Sequence, residues 1–452
     1  MSVSSIGKGN GAAEFHHLSI SYIPTAQLRP STNNPRTHSD KQIQQIARSI
    51  RAFGFNVPVL VNDALEVVAG HGRLAAAKLL GLSELPTIRL EHLTDSQAKV
   101  FAIADNKLTE NSIWDKRLLG EQLKSLSEVE LDFSLDVTGF EMGEIDVIIE
   151  GSESLPDSEN DHADLLPLNK RAGPTSRDGD VWIMGRHRAL CGNSLVTSSY
   201  STLMGNSRAD MIFTDPPYNV RISGHAGGLG TIQHKDFKMA SGEMSQAEFT
   251  DFLVQVFSLL GPHSVDGSLH YIFMDWRHAH EVLEAGRQAY TEFKHLCVWV
   301  KDNGGMGSLY RSQHELIFIF KRGTGSHRNN IQLGQYGRYR TNVWNYPGAN
   351  SFSRSTEEGN LLELHPTVKP VTLVADAIMD CSARGDIVLD PFLGSGTTLI
   401  AAERTGRLCY GIELDPAYVD TIVRRWQSFT GLRATHAGSG RAFNDLEEET
   451  AK

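Results

Sequence analysis

The sequence predicts an α/β protein: a doubly wound, mostly parallel sheet in the C-terminal half, preceded by a small α+β module. Three observations predict it. From Asp180 onward, short apolar runs alternate with helical stretches over roughly 250 residues, the pattern of parallel strands joined by crossover helices. Residues 39–108 instead mix capped helices with a hairpin pattern. Between them lies an acidic, proline-punctuated segment, and the 452-residue length exceeds what one core supports.

Residues 1–18 are rich in Gly, Ser and Ala and read as a loose tail. Ser39, with Gln42 three residues on, predicts a capping box for a helix over 39–53, where Ile43, Ile46, Ala47, Ile50 and Phe53 recur at helical spacing. Pro58–Val61 and Leu65–Val68 read as a hairpin about Asn62-Asp63. Gly70-His71-Gly72-Arg73 opens a helix from Leu74 to Leu80, and Thr94 with Gln97 caps another to about Leu108. These pieces predict one domain over 19–115 and an amphipathic helical extension over 116–150. Glu153, Asp157, Glu159, Asp161 and Asp164 precede Lys170 with Pro156 and Pro167 among them, so 151–177 reads as an acidic linker.

The main domain is predicted over 178–432. Strands are expected at 210–214, 269–274, 295–300, 315–320, 386–390 and 408–412. Helices are expected at 246–261, 277–290, 371–382, 397–406 and 416–430. Residues 433–452 read as a second loose tail.

Composition bounds the function. Hydrophobic residues at 40% and charged residues at 21% exclude a largely disordered chain. No apolar run reaches the ~18 residues of a membrane span, and the N-terminus lacks a signal-peptide core, so a cytoplasmic protein is expected. The four cysteines, 191, 297, 381 and 409, form no C-x-x-C pair, which excludes a zinc ribbon or a disulfide framework. A net charge of −11 is the wrong sign for phosphate contacts, so nucleic-acid binding would need a local basic surface.

Residues 386–415 run apolar strand, glycine turn, helix, strand and acid. Gly394 and Gly396 let a ligand approach the backbone. Thr397 and Thr398 stand where helix-start N–H groups are free. Glu413, ending the next strand, is placed to accept hydrogen bonds from ribose hydroxyls. The third glycine of G-x-G-x-x-G and the lysine of a P-loop are both missing, which disfavours NAD and ATP. A nucleoside cofactor without a pyrophosphate, such as S-adenosylmethionine, suits the unit.

Asp215-Pro216-Pro217-Tyr218 follows a predicted strand. Two prolines stiffen the turn and present Asp215 at the strand's carboxyl end. Asp215 and the Pro216 carbonyl offer two acceptors to one –NH₂ group, and Tyr218 offers a face for stacking a base. Held this way, an amine whose lone pair is otherwise delocalised becomes more tetrahedral and can attack a sulfonium methyl in line. A plain Pro-Pro turn accounts for D-P-P but not for the aromatic that follows it. The account requires Asp215 to face the cofactor cleft and not to be buried in a salt bridge.

The two motifs, Asp215–Tyr218 and Asp390-Pro391-Phe392-Leu393-Gly394-Ser395-Gly396-Thr397-Thr398, resemble those of the amino-group DNA methyltransferases, as does His365-Pro366-Thr367-Val368-Lys369-Pro370. The catalytic motif precedes the cofactor motif, the permuted order of the β class. The resemblance implies a Rossmann-like methyltransferase sheet, S-adenosylmethionine as cofactor and duplex DNA as partner. It implies that Asp215, Pro216, Pro217 and Tyr218 are catalytic. His365, Lys369, Asp390, Phe392, Gly394, Ser395, Gly396, Thr397, Thr398 and Glu413 would form the cofactor site, with Lys369 near the methionine end. A base within a duplex cannot reach such a pocket, so base flipping is implied. Asp at the first motif position favours adenine N6, with cytosine N4 as the alternative.

Residues 321–341 hold Lys321, Arg322, Arg328, Arg338 and Arg340 with no acid. Lying between the motifs, they are the candidate DNA-binding residues, within a target-recognition insert over about 321–360. Glycine-rich 219–243 reads as a loop over the DNA. No metal site is expected.

Residues 20–110 resemble the ParB-like N-terminal domain through Asn34-Pro35-Arg36 and Val68-Ala69-Gly70-His71-Gly72-Arg73-Leu74. Two arginine positions of that family's motif are Gly72 and Ala75 here, so whether the domain binds or hydrolyses a nucleotide stays open, although Arg73 at a helix start could hold a phosphate. Two function classes stand: a site-specific adenine-N6 DNA methyltransferase, or a ParB-like DNA or nucleotide binder with an inactive methyltransferase half. A homodimer, a restriction partner and the recognised DNA word stay open.

Overall fold

The structure, a computed structural model, describes residues 17–129, 131–152, 163, 173–220, 242–304, 309–348 and 368–450. It divides into two compact units. One runs to Leu119 and includes Val129–Glu141; the other takes Gly120–Glu128 and continues from Met142.

The first unit contains β1 (Ile20–Pro24), α1 (Asp40–Phe53), β2 (Val59–Val61), β3 (Val67–Ala69), α2 (His71–Leu80), β4 (Glu84–Arg89) and α3 (Asp95–Glu110). Its four strands order as β1-β4-β2-β3, with β2 parallel to β4. Ser39 caps Gln42 N–H at 3.2 Å, but the Gln42 amide turns to His38 at 3.0 Å, so only half of that capping box forms. The Thr94–Gln97 box is complete. Helix α2 begins at His71, earlier than expected, because Gly70 takes a left-handed turn (φ 103°) and starts it there. Val59, Val61, Val67, Leu74 and Leu85 are buried between sheet and helices.

Two further helices follow, α4 (Lys116–Ser127) and α5 (Met142–Ser152). The second unit then runs β5 (Val181–Met184), β6 (His187–Cys191), α6 (Thr197–Met204), β7 (Ala209–Thr214), α7 (Gln246–Leu260), β8 (Ser264–Met274), α8 (Ala279–Ala289), β9 (Glu292–Val300), β10 (His314–Lys321), β11 (Val343–Asn345), α9 (Val371–Cys381), β12 (Ile387–Asp390), α10 (Thr397–Arg404), β13 (Leu408–Glu413), α11 (Pro416–Thr430), β14 (Thr435–His436) and α12 (Phe443–Thr450).

Ten strands order as β11-β9-β10-β8-β7-β12-β13-β6-β5-β14. The centre, β8-β7-β12-β13-β6, is parallel throughout, as a doubly wound fold requires. Both faces are covered. On β7, Met211 and Phe213 pack with residues of α9, α10 and α11, while Ile212 packs with α6, α7 and α8. This alternation follows from the two-residue period of a strand.

Chain direction within the sheet sets the site. From β7 the chain passes through α7 to β8 on one side; from β12 it passes through α10 to β13 on the other. The β7/β12 boundary is therefore a topological switch point, where open α/β sheets carry a crevice at the carboxyl edge.

Residues 433–450 are not a loose tail. β14 pairs antiparallel with β5, and Phe443 is fully buried, edge-on to Trp182 at 5.0 Å. The short strand carries too little pattern to read, and the contact that fixes it is distant in sequence. The acidic segment and its neighbours lie largely outside the described residues, as do 221–241 and His365. Among the described residues no helix is long and apolar enough to cross a membrane.

Candidate active site

The carboxyl ends of β7 and β12 carry the two motifs side by side. Asp215 follows β7 directly, and Asp390 is the last residue of β12. Asp390 builds the glycine turn: its Oδ1 accepts Phe392 N–H at 3.1 Å and its Oδ2 accepts the Thr398 hydroxyl at 2.6 Å. Gly394 and Gly396 both have positive φ, 54° and 84°, a conformation that a side chain would strain. Glu413, at the end of β13, accepts Gly394 N–H at 2.9 Å and Asp415 N–H at 2.8 Å. Buried Arg425 donates to the Ser395 carbonyl and the Thr397 hydroxyl, both at 3.1 Å. The turn is thus braced from three elements and open at Phe392 and Gly394, which are half-buried. Ser395, Thr397, Thr398 and Asp390 are buried and serve the loop's shape. Burial pushes Asp390 and Glu413 each up to about 7.

The Asp215 carboxylate is only partly exposed, at 22%, and it is paired. Lys369 Nζ donates to its Oδ2 at 2.6 Å. The Tyr218 hydroxyl lies 2.6 Å from Oδ1 and 3.0 Å from Glu315 Oε2, with one proton to give between them. Lys369 Nζ also lies 3.0 Å from Glu315 Oε2, and Lys301 donates to Glu315 Oε1 at 2.5 Å. Three rings surround the Lys369 ammonium: Phe273 at 4.9 Å, and Tyr218 and Trp299 each at 5.7 Å. Two acids and two lysines therefore share one cluster. Burial pushes Asp215 up, against Lys369 and with Glu315. Burial also opposes ionised Glu315, but Lys369 and Lys301 outweigh it and hold it at about 2.

This departs from the expectation for Asp215. Asp215 stands at the carboxyl end of β7, beside the switch point, and a cation already sits on its carboxylate. The pair does not exhaust it, since a carboxylate has about four acceptor positions and two are used. Lys369 was expected at a cofactor's methionine end; the structure seats it on the catalytic corner.

Of the five cations in the basic stretch, Arg338 and Arg340 are turned into the protein, while Lys321, Arg322 and Arg328 keep some exposure. β10 runs antiparallel to β8, so Lys321 and Arg322 lie at the amino edge of β7, opposite Asp215. Lys321 pairs with Glu292 at 3.9 Å, Arg322 donates to the Ser264 carbonyl at 3.2 Å, and Arg328 pairs with Asp386 at 3.8 Å. Arg338 is 6% exposed and held by Asp380 at 2.9 Å and Asp376 at 3.2 Å, and Arg340 meets the same two acids at 3.2 Å. These guanidiniums tie the segment to α9.

Sequence reasoning missed Glu315, Lys301, Trp276 and Arg277. Glu315 was visible as a lone charge opening the apolar strand E-L-I-F-I-F. Trp276 follows β8 at the carboxyl edge, is 53% exposed, and stacks with Arg277 at 5.4 Å.

Comparison with known proteins decides the family. A family model described as a DNA methylase matches residues 209–424, one described as the ParB N-terminal domain matches 10–107, and one described as a ParB-methyltransferase HTH domain matches 117–177. Residues 209–424 belong to the N6/N4 DNA methylase family, and a ParB N-terminal domain precedes them. The methylase portion is 29% identical over 276 residues to the Type II methyltransferase M.HpaI of Haemophilus parainfluenzae, covering 58% of this chain and 81% of that protein. The ParB portion is 45% identical over 80 residues to the ParB-like nuclease domain-containing protein YnaK of Escherichia coli, covering 18% of this chain and 92% of that one. Among solved structures, the cytosine-N4-specific PvuII DNA methyltransferase aligns at 15% identity and a TM-score of 0.41, covering 59% of this chain and 91% of that one.

Proposed function

We propose that the methylase domain moves a methyl group from S-adenosylmethionine to the exocyclic N6 of adenine in duplex DNA, with the target base flipped out of the helix. The observation that carries this is the adjacency of the Asp215 corner and the glycine turn on neighbouring parallel strands at the switch point.

The residues fit the cofactor. Gly394 leaves the backbone approachable, Phe392 offers an apolar face, and the Glu413 carboxylate keeps acceptor capacity beyond its two backbone hydrogen bonds. Helix α10 starts at Gly396 with no side-chain cap. Bound there, S-adenosylmethionine supplies an electrophilic sulfonium methyl. Asp215 and the Pro216 carbonyl hold the two amine hydrogens, Tyr218 stacks on the base, and burial excludes competing water. The nitrogen lone pair forms the new N–C bond as the S–C bond breaks, and the displaced amine proton leaves toward Asp215.

DNA would meet the carboxyl edge of the sheet. Trp276, Arg277 and the exposed Leu309 and Tyr310 line that edge, in place of residues 321–341. The ParB-like domain is proposed as an accessory for DNA association. Its Arg73 folds back at the α2 start, donating to the Val57 carbonyl at 3.3 Å.

Incubation with methyl-labelled S-adenosylmethionine and mixed-sequence duplex DNA, followed by nucleoside chromatography, tests the proposal. Label in N6-methyldeoxyadenosine is expected. Label in N4-methyldeoxycytidine overturns the base choice, and no label in DNA overturns the activity.

A further inference from the structure

Lys369 stands within ion-pair distance of two anions, and only one of them belongs to the proposed catalytic turn. We infer that Glu315 is a positioning residue: it is the second seat of the Lys369 ammonium, which lets Asp215 release that cation and accept the target amine. This rests on the methyl-transfer proposal above.

The geometry gives Lys369 a place to stay when Asp215 lets go. Nζ is 2.6 Å from Asp215 and 3.0 Å from Glu315, so the transfer between them needs little movement. The surrounding rings of Phe273, Trp299 and Tyr218 stabilise an ammonium at either end. Glu315 itself is fixed: it sits on strand β10, paired on both sides by β9 and β8, and its other oxygen is held by Lys301, which lies over Trp299 at 4.6 Å. A buried ammonium without an anion would be costly, so a single-acid site would lock Lys369 onto Asp215. Such a lock would blunt Asp215 as an acceptor where the amine must dock.

The charged and titratable groups facing Asp215 are Lys369, Glu315, Tyr218 and, from β12, Asp390. Of these, Glu315 is the one whose negative charge both attracts Lys369 away and disfavours ionisation of Asp215. Removing that charge has opposite consequences for rate and for titration, which separates this role from a merely structural one.

The test is steady-state methyl transfer by the full chain carrying Glu315→Gln, at saturating S-adenosylmethionine. The kcat falls about tenfold or more while the cofactor's dissociation constant stays within about twofold. The acid limb of kcat moves to lower pH, by about one unit, because Lys369 now stabilises the Asp215 anion alone. Adding Lys369→Met to Glu315→Gln raises kcat at least about threefold over Glu315→Gln, since the locked cation is gone. An unchanged kcat, an acid limb that stays in place or rises, or a double variant no faster than the single one overturns the inference. Wild-type chain without any transfer sinks the methyl-transfer proposal beneath it; active wild type with an unaffected Glu315→Gln sinks this inference alone.

Discussion

Asp215 and Lys369, one from the diproline turn after β7 and the other from the segment before α9, meet at 2.6 Å between Oδ2 and Nζ. The contact joins two motifs that the sequence keeps far apart. It also means that the carboxylate proposed to hold a base amine is paired with a cation.

Replacing Asp215 by Ala is expected to abolish transfer, by about 10³-fold or more, because orientation and charge at the amine are lost together. Lys369 keeps Glu315 as a partner, so the fold persists. Calorimetric binding of S-adenosylmethionine, within about threefold of wild type, accompanies the lost activity.

Glu315 gives the methylase domain an acid-sensitive contribution to stability. Its folded pKa is held down at about 2, against 4.5 ordinarily, by Lys369 and Lys301. A depressed carboxyl stabilises above its unfolded value and loses that contribution as pH falls from 4.5 toward 2. Glu315→Gln is expected to cost about 3 kcal/mol at pH 7, and to remove this acid dependence, in urea titrations followed by tryptophan fluorescence.

Glu413 makes cofactor binding depend on pH in the opposite range. Burial lifts it to about 7, and hydroxyl donors from a ribose would favour its ionised form. Binding of S-adenosylmethionine is expected to tighten as pH rises from 6 to 8, by about tenfold at most. In Glu413→Gln the dissociation constant is weaker and flat across that range. Isothermal titration at several pH values reads both.

DNA contact is proposed at the carboxyl edge. Arg277→Ala is expected to weaken duplex binding and lower the salt slope by about one unit, as loss of one phosphate contact does. Lys321→Ala with Arg322→Ala is expected to leave both within error. Arg338→Ala is expected to destabilise by about 3 kcal/mol, since it leaves Asp380 buried beside one fewer cation. Fluorescence anisotropy across a salt series and thermal melting distinguish the three.

Local pattern made most of the fold legible. β7, β8, β10, β12 and β13 and helices α7, α9 and α11 stand close to where apolar periodicity and caps put them. β11 and β14, at the sheet's edges, are too short to carry a period. The Asp215 corner and the glycine turn were readable because each is a contiguous motif whose backbone demands specific residues. Arg338 and Arg340 were not legible as internal for a physical reason: charge in sequence says nothing about its partner. Asp376 and Asp380, one helical turn apart and the two charged residues of α9, were the signal that Arg338 and Arg340 had somewhere to go inside the protein. Glu315 and Lys301 were invisible as a pair, because the antiparallel register of β9 and β10 brings them together.

The most direct measurement is mass-spectrometric nucleoside analysis of DNA from methylation-deficient cells expressing the wild-type chain or Asp215→Asn. N6-methyldeoxyadenosine present with wild type and absent with the variant is the predicted result. Equal levels in both, or none in either at matched expression, would contradict the assignment of methyl transfer to the Asp215 turn.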